Sequence, residues 1–228
     1  MKTWSVLAVG ALAGCMPLLI CPANAQAAAT RGHPVVASVA RTSAAPELFG
    51  TIAMPIMASR FSEDWDRARR QSISPRMRNL VRPATNVTRE QQLAYVQKEV
   101  SRMIGWRSDA TQWDRHDYWA SADETLSRGL GDSEDRAIVK MQALLTLGFS
   151  SRDLFLTLGR DRVAGPQAML IVRLRDRYLV LDDNGTAPFA PEKRPEFTPV
   201  FTFAFGASWA HLSHATAGTA RVVASRTR

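Results

Sequence analysis

Residues 131–148 read Gly-Asp-Ser-Glu-Asp-Arg-Ala-Ile-Val-Lys-Met-Gln-Ala-Leu-Leu-Thr-Leu-Gly, and this stretch decides the fold. Its apolar side chains recur at intervals of three and four residues between positions 137 and 145, which is the spacing of one buried face of an α-helix. Asp132 precedes the repeat as a candidate N-cap, and Gly148 follows it as a C-terminal stop. The pattern therefore predicts a buried helix over residues 132–147, entered from an acidic loop.

The segments on either side of this helix predict an α+β domain. Thr88 and Gln91 form a capping-box pattern, which opens an amphipathic helix that ends near Gly105. Strand-like apolar runs follow the central helix at residues 154–158, 168–174, 178–181 and 200–205. Because a hairpin-length turn joins the second and third runs, we expect one antiparallel β-sheet with the central helix packed on it.

The two ends of the chain predict an exported protein with one folded domain. Residues 1–25 combine a basic Lys2, an apolar stretch and a small-residue cleavage motif, as a secretory signal peptide does. After residue 25 we expect an unstructured lead-in over residues 26–45, a globular domain over 46–212 and a basic flexible tail over 213–228. Cleavage places the mature chain in the periplasm or outside the cell, without a transmembrane span. A lipoprotein-like box ending at Cys15 leaves lipid anchoring there as the alternative.

Cysteine content and charge restrict the chemistry of the mature chain. Both cysteines, Cys15 and Cys21, lie in the predicted leader, so the mature chain has neither a disulfide nor a thiol nucleophile. The net charge of +8 is carried by arginines that are scattered along the chain. Because no aromatic residues are interleaved with them and no nucleic-acid motif is recognised, we expect no nucleic-acid partner.

Several motifs occur in order between residues 90 and 190. They are Trp106-Arg107-Ser108-Asp109, the segment Trp113 to Glu124 around Asp117-Tyr118-Trp119-Ala120, the segment Gly131 to Lys140, and Leu179-Val180-Leu181-Asp182. Together they resemble the bacterial transglutaminase-like cysteine proteinases, including the LapG-like periplasmic proteases. The resemblance implies a papain-like, transglutaminase-like core. In such a core a cysteine at a helix start, a histidine on a neighbouring strand and a carboxylate on the next strand form the catalytic triad.

On this chain the implied triad is altered at two of its positions. Ser133 stands at the cysteine position and Gln167 at the histidine position, whereas Asp182 retains the third. A serine hydroxyl needs a positioned base, and the amide of Gln167 accepts no proton near neutral pH. Losing the nucleophile or the base of such a triad costs on the order of 10⁶-fold in turnover. We therefore expect a catalytically impaired homologue that acts by binding a peptide or protein.

The alternative is an active periplasmic endopeptidase of the adhesin-processing type, in which Ser133 works with another base. His116 is the candidate, because the other histidines (His33, His211 and His214) lie near the chain ends. In either case the resemblance implies a protein partner, which is an adhesin-like substrate or a membrane regulator.

The acids around Ser133 have two interpretations. Asp132 and Glu134 match positions that the resemblance implicates in a calcium site, and calcium prefers such oxygen ligands. The alternative is that Asp132 caps the helix while Glu134 and Asp135 complement its dipole.

The segment 106–126 is predicted to be a loop over the core, and its aromatic side chains also have two interpretations. These side chains are Trp106, Trp113, Tyr118 and Trp119. They either pack on the sheet or form one wall of a peptide groove.

Overall fold

The computed structural model describes residues 45–70, 72–184 and 187–212. The predicted signal peptide, almost all of the lead-in and the basic tail lie outside these ranges, as do Cys15, His33 and His214. Within the described ranges, the helices are too short or too polar to cross a membrane.

Six α-helices and eight β-strands make up this described part of the chain. The helices are α1 (Ser62–Arg69), α2 (Pro75–Val81), α3 (Arg89–Met103), α4 (Asp109–Trp113), α5 (Ala122–Arg128) and α6 (Ser133–Thr146). The strands are β1 (Ile52–Ile56), β2 (Gly105–Trp106), β3 (Leu130–Gly131), β4 (Leu154–Asp161), β5 (Gly165–Leu174), β6 (Arg177–Leu181), β7 (Phe197–Phe203) and β8 (Ser208–Leu212).

The larger sheet is antiparallel, with strand order β1-β8-β7-β4-β5-β6. Helix α6 packs against β5 and β4, and α2, α3 and α5 surround its other sides. Ile138, Met141 and Leu144 on α6 are fully buried in the core between the helices and the sheet. The predicted α+β class, with the central helix on an antiparallel sheet, is confirmed.

The capping box at the start of α3 is also confirmed. Thr88 Oγ1 accepts a hydrogen bond from the backbone N–H of Gln91, and Gln91 Oε1 accepts one from the backbone N–H of Thr88. These two bonds satisfy N–H groups that the helix itself leaves free. They fix the start of α3 and so the position of Gln97, which reaches Asp182 from this helix.

Several elements differ from the sequence-based expectation. The predicted loop over residues 106–126 contains α4 and α5, and Ser121 with Glu124 forms a second capping box at the start of α5. Helix α2 was not predicted, although Pro75 at its first position and the Ser74 cap are typical of a helix start. Strands β1 and β8 were not predicted either. They pair with each other, and β8 also joins the sheet next to β7.

His211 lies within β8. Its Nδ1 is 2.7 Å from Thr51 Oγ1, and its Nε2 is 2.8 Å from Thr202 Oγ1. Since the Thr51 hydroxyl donates to the carbonyl of Leu48, Nδ1 carries the hydrogen and the Thr202 hydroxyl donates to Nε2. Burial lowers the pKa of His211 to about 4.

We expect His211 to make folding less favourable in acid. Its pKa rises from about 4 in the fold to about 6.5 in the unfolded chain, so the unfolded chain binds more protons between these pH values. Stability is therefore lost as the pH falls through this window. The test compares the free energy of unfolding in urea at about pH 7 and about pH 4.5 for the natural chain and His211→Gln. The natural chain should lose more stability than the variant, and equal losses would contradict the assignment.

Candidate functional site

Ser133 is the first residue of α6, and its hydroxyl is held on both sides. Its Oγ donates to Glu134 Oε2 over 2.8 Å and accepts the backbone N–H of Ala168 over 3.0 Å. Among the described residues, these two groups are the hydrogen-bond partners of the hydroxyl. Ser133 is only 7% exposed. The bond to Ala168 ties the start of α6 to β5, where Gln167 is the neighbouring residue.

Asp182 directly follows β6 and is almost completely buried. Its Oδ1 accepts from Gln97 Nε2 over 3.1 Å and from the backbone N–H of Asn184 over 3.0 Å. Its Oδ2 accepts from Asn184 Nδ2 over 2.9 Å and from Arg194 Nη1 over 2.5 Å. The Lys140 ammonium donates to the Asp182 carbonyl oxygen, so the backbone here is also fixed.

Arg194 joins two of the three predicted triad positions. Besides its bond to Asp182, it donates from Nη2 to Gln167 Oε1 over 3.2 Å. It also contacts Asp161 Oδ2 and Glu196 Oε1, each at 3.0 Å. Sequence reasoning missed Arg194, because it follows a short 3₁₀-helix (Pro191–Lys193) and belongs to none of the motifs.

A cavity of about 400 Å³ opens beside Ser133. Its polar lining consists of Gln167, His116, the acids Asp109, Asp117, Asp132 and Glu134, and the arginines Arg60 and Arg160. Its apolar lining includes Phe61, Leu158, Pro166, Val200 and Phe201. His116 is exposed, and it is not among the described hydrogen-bond partners of Ser133. The structure therefore brings His116 to the same cavity but not to the hydroxyl.

The carboxylates of Asp109, Asp132 and Asp135 form an acidic cluster next to this cavity. One oxygen from each lies within 4.8 Å of one oxygen from each of the others. Burial, together with repulsion from Glu134 and the other two cluster acids, raises the pKa of Asp132 to about 9. Burial likewise raises the pKa of Asp135 to about 7. Burial and mutual repulsion therefore disfavour the fully ionised state of this cluster.

The predicted metal ligands Asp132 and Glu134 are placed differently. Asp132 lies in the acidic cluster, and its Oδ1 also accepts the backbone N–H of Asp135, so it caps α6 as the alternative proposed. Glu134 is outside the cluster, because its Oε2 receives the Ser133 hydroxyl. Asp109 was missed as a candidate ligand, although the Trp106-Arg107-Ser108-Asp109 motif contains it.

The aromatic side chains of residues 106–126 do not act as one group. Trp119 is buried and stacks on Phe61 with ring centroids 5.7 Å apart. Trp113 packs on Tyr118 at 4.8 Å, whereas Trp106 is 65% exposed. None of these four lines the cavity beside Ser133. Of these four side chains, Trp119 is the one that is buried in the core.

The family model of the bacterial transglutaminase-like cysteine proteinases matches residues 52–197, a range that contains Ser133, Gln167 and Asp182. The chain belongs to this family. Its motifs therefore identify the family correctly.

Solved structures of LapG from Legionella pneumophila share the transglutaminase-like α+β fold. The calcium-bound form is 24% identical, with a TM-score of 0.52 over 65% of this chain and 86% of LapG. A second LapG structure is 21% identical, with a TM-score of 0.53 over 72% of this chain and 93% of that one. The EGTA-treated form is 20% identical, with a TM-score of 0.52 over 77% of this chain and 100% of that one. Among curated proteins, none matches the chain.

Proposed function

We propose that this protein is an exported, catalytically impaired member of its family, which binds a peptide or protein partner in the periplasm. The observation that carries the proposal is the state of the triad positions. The Ser133 hydroxyl is bonded to Glu134 and to the Ala168 amide, while Gln167 and Asp182 are both bonded to Arg194. Export rests on the predicted leader at residues 1–25.

The chemistry of these groups argues against nucleophilic catalysis. The N-terminus of α6 favours a negative charge by about 1 kcal/mol, which is far too little to ionise a serine hydroxyl near neutral pH. A general base is therefore required. Gln167 offers an amide that does not take up a proton, and Asp182 has its carboxylate oxygens bonded to other groups.

The cavity supports a binding role that needs no chemistry. It places apolar walls such as Leu158 and Val200 beside carboxylates such as Glu134. Clefts that combine apolar walls with a few polar groups are the usual form of ligand sites. By family resemblance, the segment that binds there belongs to an adhesin-like protein or to a membrane regulator.

One observation favours a second candidate function, a hydrolase in which Glu134 is the base. The Ser133 hydroxyl donates directly to Glu134 Oε2, as a nucleophile does to its base. Burial raises the pKa of Glu134, which makes its carboxylate a stronger base than an exposed one. Against this candidate, the Ser133 oxygen accepts the backbone N–H of Ala168, which occupies one of the lone pairs needed for attack.

A cleavage assay separates the two candidates. The purified mature chain, Ser133→Ala and Glu134→Gln are incubated with adhesin-type substrates and calcium at about pH 4.5 and about pH 7.5, because a base with a raised pKa works only where it is ionised. We expect no specific cleavage by any of the three. Cleavage that is lost in Ser133→Ala would overturn the proposal. Its loss in Glu134→Gln as well would establish the hydrolase that uses Glu134 as its base.

The binding role is tested by measuring peptide binding to two matched valine variants. Val200 lines the cavity and is 44% exposed, whereas Val163 is 89% exposed and lies outside it. A Val200→Arg side chain would fill the cavity, so binding to peptides from the same substrates should weaken by about tenfold or more. Val163→Arg should bind as the natural chain does. Equal binding by both variants would contradict a partner site in this cavity.

The residues of the acidic cluster fit a calcium ion. Asp109 Oδ1 and Asp135 Oδ2 are buried without a hydrogen-bond donor, while the other oxygen of each carboxylate accepts a backbone N–H, from Tyr118 and Ala120 respectively. Together with Asp132 they offer the hard oxygen ligands that calcium prefers. A solved structure of LapG, which shares this fold, is calcium-bound, and this supports the expectation of calcium here. A bound ion would neutralise the repulsion among these acids.

We expect calcium to stabilise the protein through this cluster. Because the pKa of Asp132 in the fold is about 9, the metal-free protein loses stability as the pH rises from about 4 towards 9. Calcium at about 1 mM should therefore raise Tm at neutral pH relative to EDTA. Asp109→Asn should abolish most of this increase, and Asp176→Asn in the exposed β5–β6 turn should not. An unchanged increase in Asp109→Asn would exclude this cluster as the site.

A further inference from the structure

The guanidinium of Arg194 lies between residues 167 and 182, which in the family mechanism are joined directly as histidine and aspartate. Its Nη1 donates to Asp182 Oδ2 over 2.5 Å, and its Nη2 donates to Gln167 Oε1 over 3.2 Å. We infer that Arg194 is a positioning residue that takes the histidine's bond to Asp182 and holds the triad positions in a non-catalytic arrangement. This inference rests on the triad positions used in the proposed function, but it does not depend on partner binding.

The hydrogen-bond capacity of Asp182 is the first argument. An ionised carboxylate has two oxygens with about four acceptor sites in total. Four donors occupy them, namely Gln97 Nε2, the backbone N–H of Asn184, Asn184 Nδ2 and Arg194 Nη1. At 2% exposure, Asp182 has no further surface to offer. An imidazole N–H introduced at position 167 would therefore find this carboxylate already saturated.

The anchoring of Arg194 is the second argument, because it does not depend on residue 167. Asp161 Oδ2 accepts from Arg194 Nη2 over 3.0 Å and from its Nε over 3.2 Å. Asp161 is itself fixed by the backbone N–H groups of Val163 and Ala164, each 2.9 Å from Oδ1. These N–H groups and Arg194 lower the pKa of Asp161 and keep it ionised. Replacing Gln167 would therefore leave Arg194 in place.

Charge is the third argument. A cysteine–histidine pair works as a thiolate beside an imidazolium, so the histidine must hold a positive charge. A fixed guanidinium within hydrogen-bond distance of residue 167 disfavours that charge. Gln167 is neutral and presents an acceptor oxygen, so it fits beside Arg194 where a protonated histidine would not. The identity of residue 167 thus follows from the position of Arg194.

The test uses nuclear magnetic resonance of an imidazole placed at position 167, with Ser133 unchanged. In Gln167→His, where Arg194 is retained, we expect an imidazole pKa below the ordinary value of about 6.5 and no strongly downfield Nδ1–H resonance. In Gln167→His with Arg194→Gln, the acceptor site on Asp182 Oδ2 that Arg194 occupies becomes free, while Asn184 Nδ2 still donates to the same oxygen. The imidazole pKa should then rise by about one unit or more, and the downfield resonance should appear.

Arg173→Gln, combined with Gln167→His, is the matched control. Arg173 forms an ion pair with Asp153 at 2.7 Å, away from the triad positions, so its loss should not change the imidazole signals. A downfield Nδ1–H resonance in Gln167→His alone would overturn the inference, and this result needs no variant of Arg194 to fold. An unchanged imidazole pKa in a folded Arg194→Gln double variant would overturn it too. Cleavage of a substrate by the natural chain would contradict the proposed function but not this inference, because the imidazole signals do not involve residue 133.

Discussion

The oxygen of Ser133 has a carboxylate on one side and a backbone amide on the other, and the arrangement of the site depends on these two hydrogen bonds. The amide is that of Ala168, so the start of α6 is fixed to β5. This contact brings Gln167 to the rim of the cavity next to the hydroxyl. A thiol would make weaker bonds in the same place, whereas the hydroxyl satisfies both its donor and an acceptor site. The scaffold of the family is thus retained around a residue that is held by hydrogen bonds.

A second hydrogen-bond network, centred on Arg194, accounts for the opposite side of the site. This side chain is 11% exposed and contacts the carboxylates of Asp161, Asp182 and Glu196. Buried charges are tolerated when they are paired and their hydrogen bonds are satisfied, and that condition is met here. The acidic cluster around Asp132 is the reverse case, since burial and mutual repulsion raise the pKa values of Asp132 and Asp135 although Arg60 and Arg160 line the same cavity. One side of the site is neutralised by the chain itself, and the other brings buried carboxylates together against their mutual repulsion.

Local patterns were enough to predict two of the helices that build the site. The apolar periodicity of α6 and the capping box of α3 depend on neighbouring residues, and both were predicted correctly. Strand β8 was missed because its place is set by pairing with β1 at the far end of the chain, to which no local signal corresponds. Helix α2 was missed because arginines obscure its apolar face, although Met77, Leu80 and Val81 are buried. Motif matching predicts the three triad positions at Ser133, Gln167 and Asp182. It did not reveal Arg194, whose role exists only after residues distant in sequence are brought together.

The central claim is that the Ser133 hydroxyl is not activated for attack on a carbonyl or phosphorus centre. The most direct measurement is reaction of the purified chain with a fluorophosphonate, followed by peptide mass spectrometry of the segment that contains Ser133. The account predicts no adduct on this residue over the pH range in which the protein stays folded. A stoichiometric adduct on Ser133 would contradict it, because only a hydroxyl with a working base reacts with this reagent.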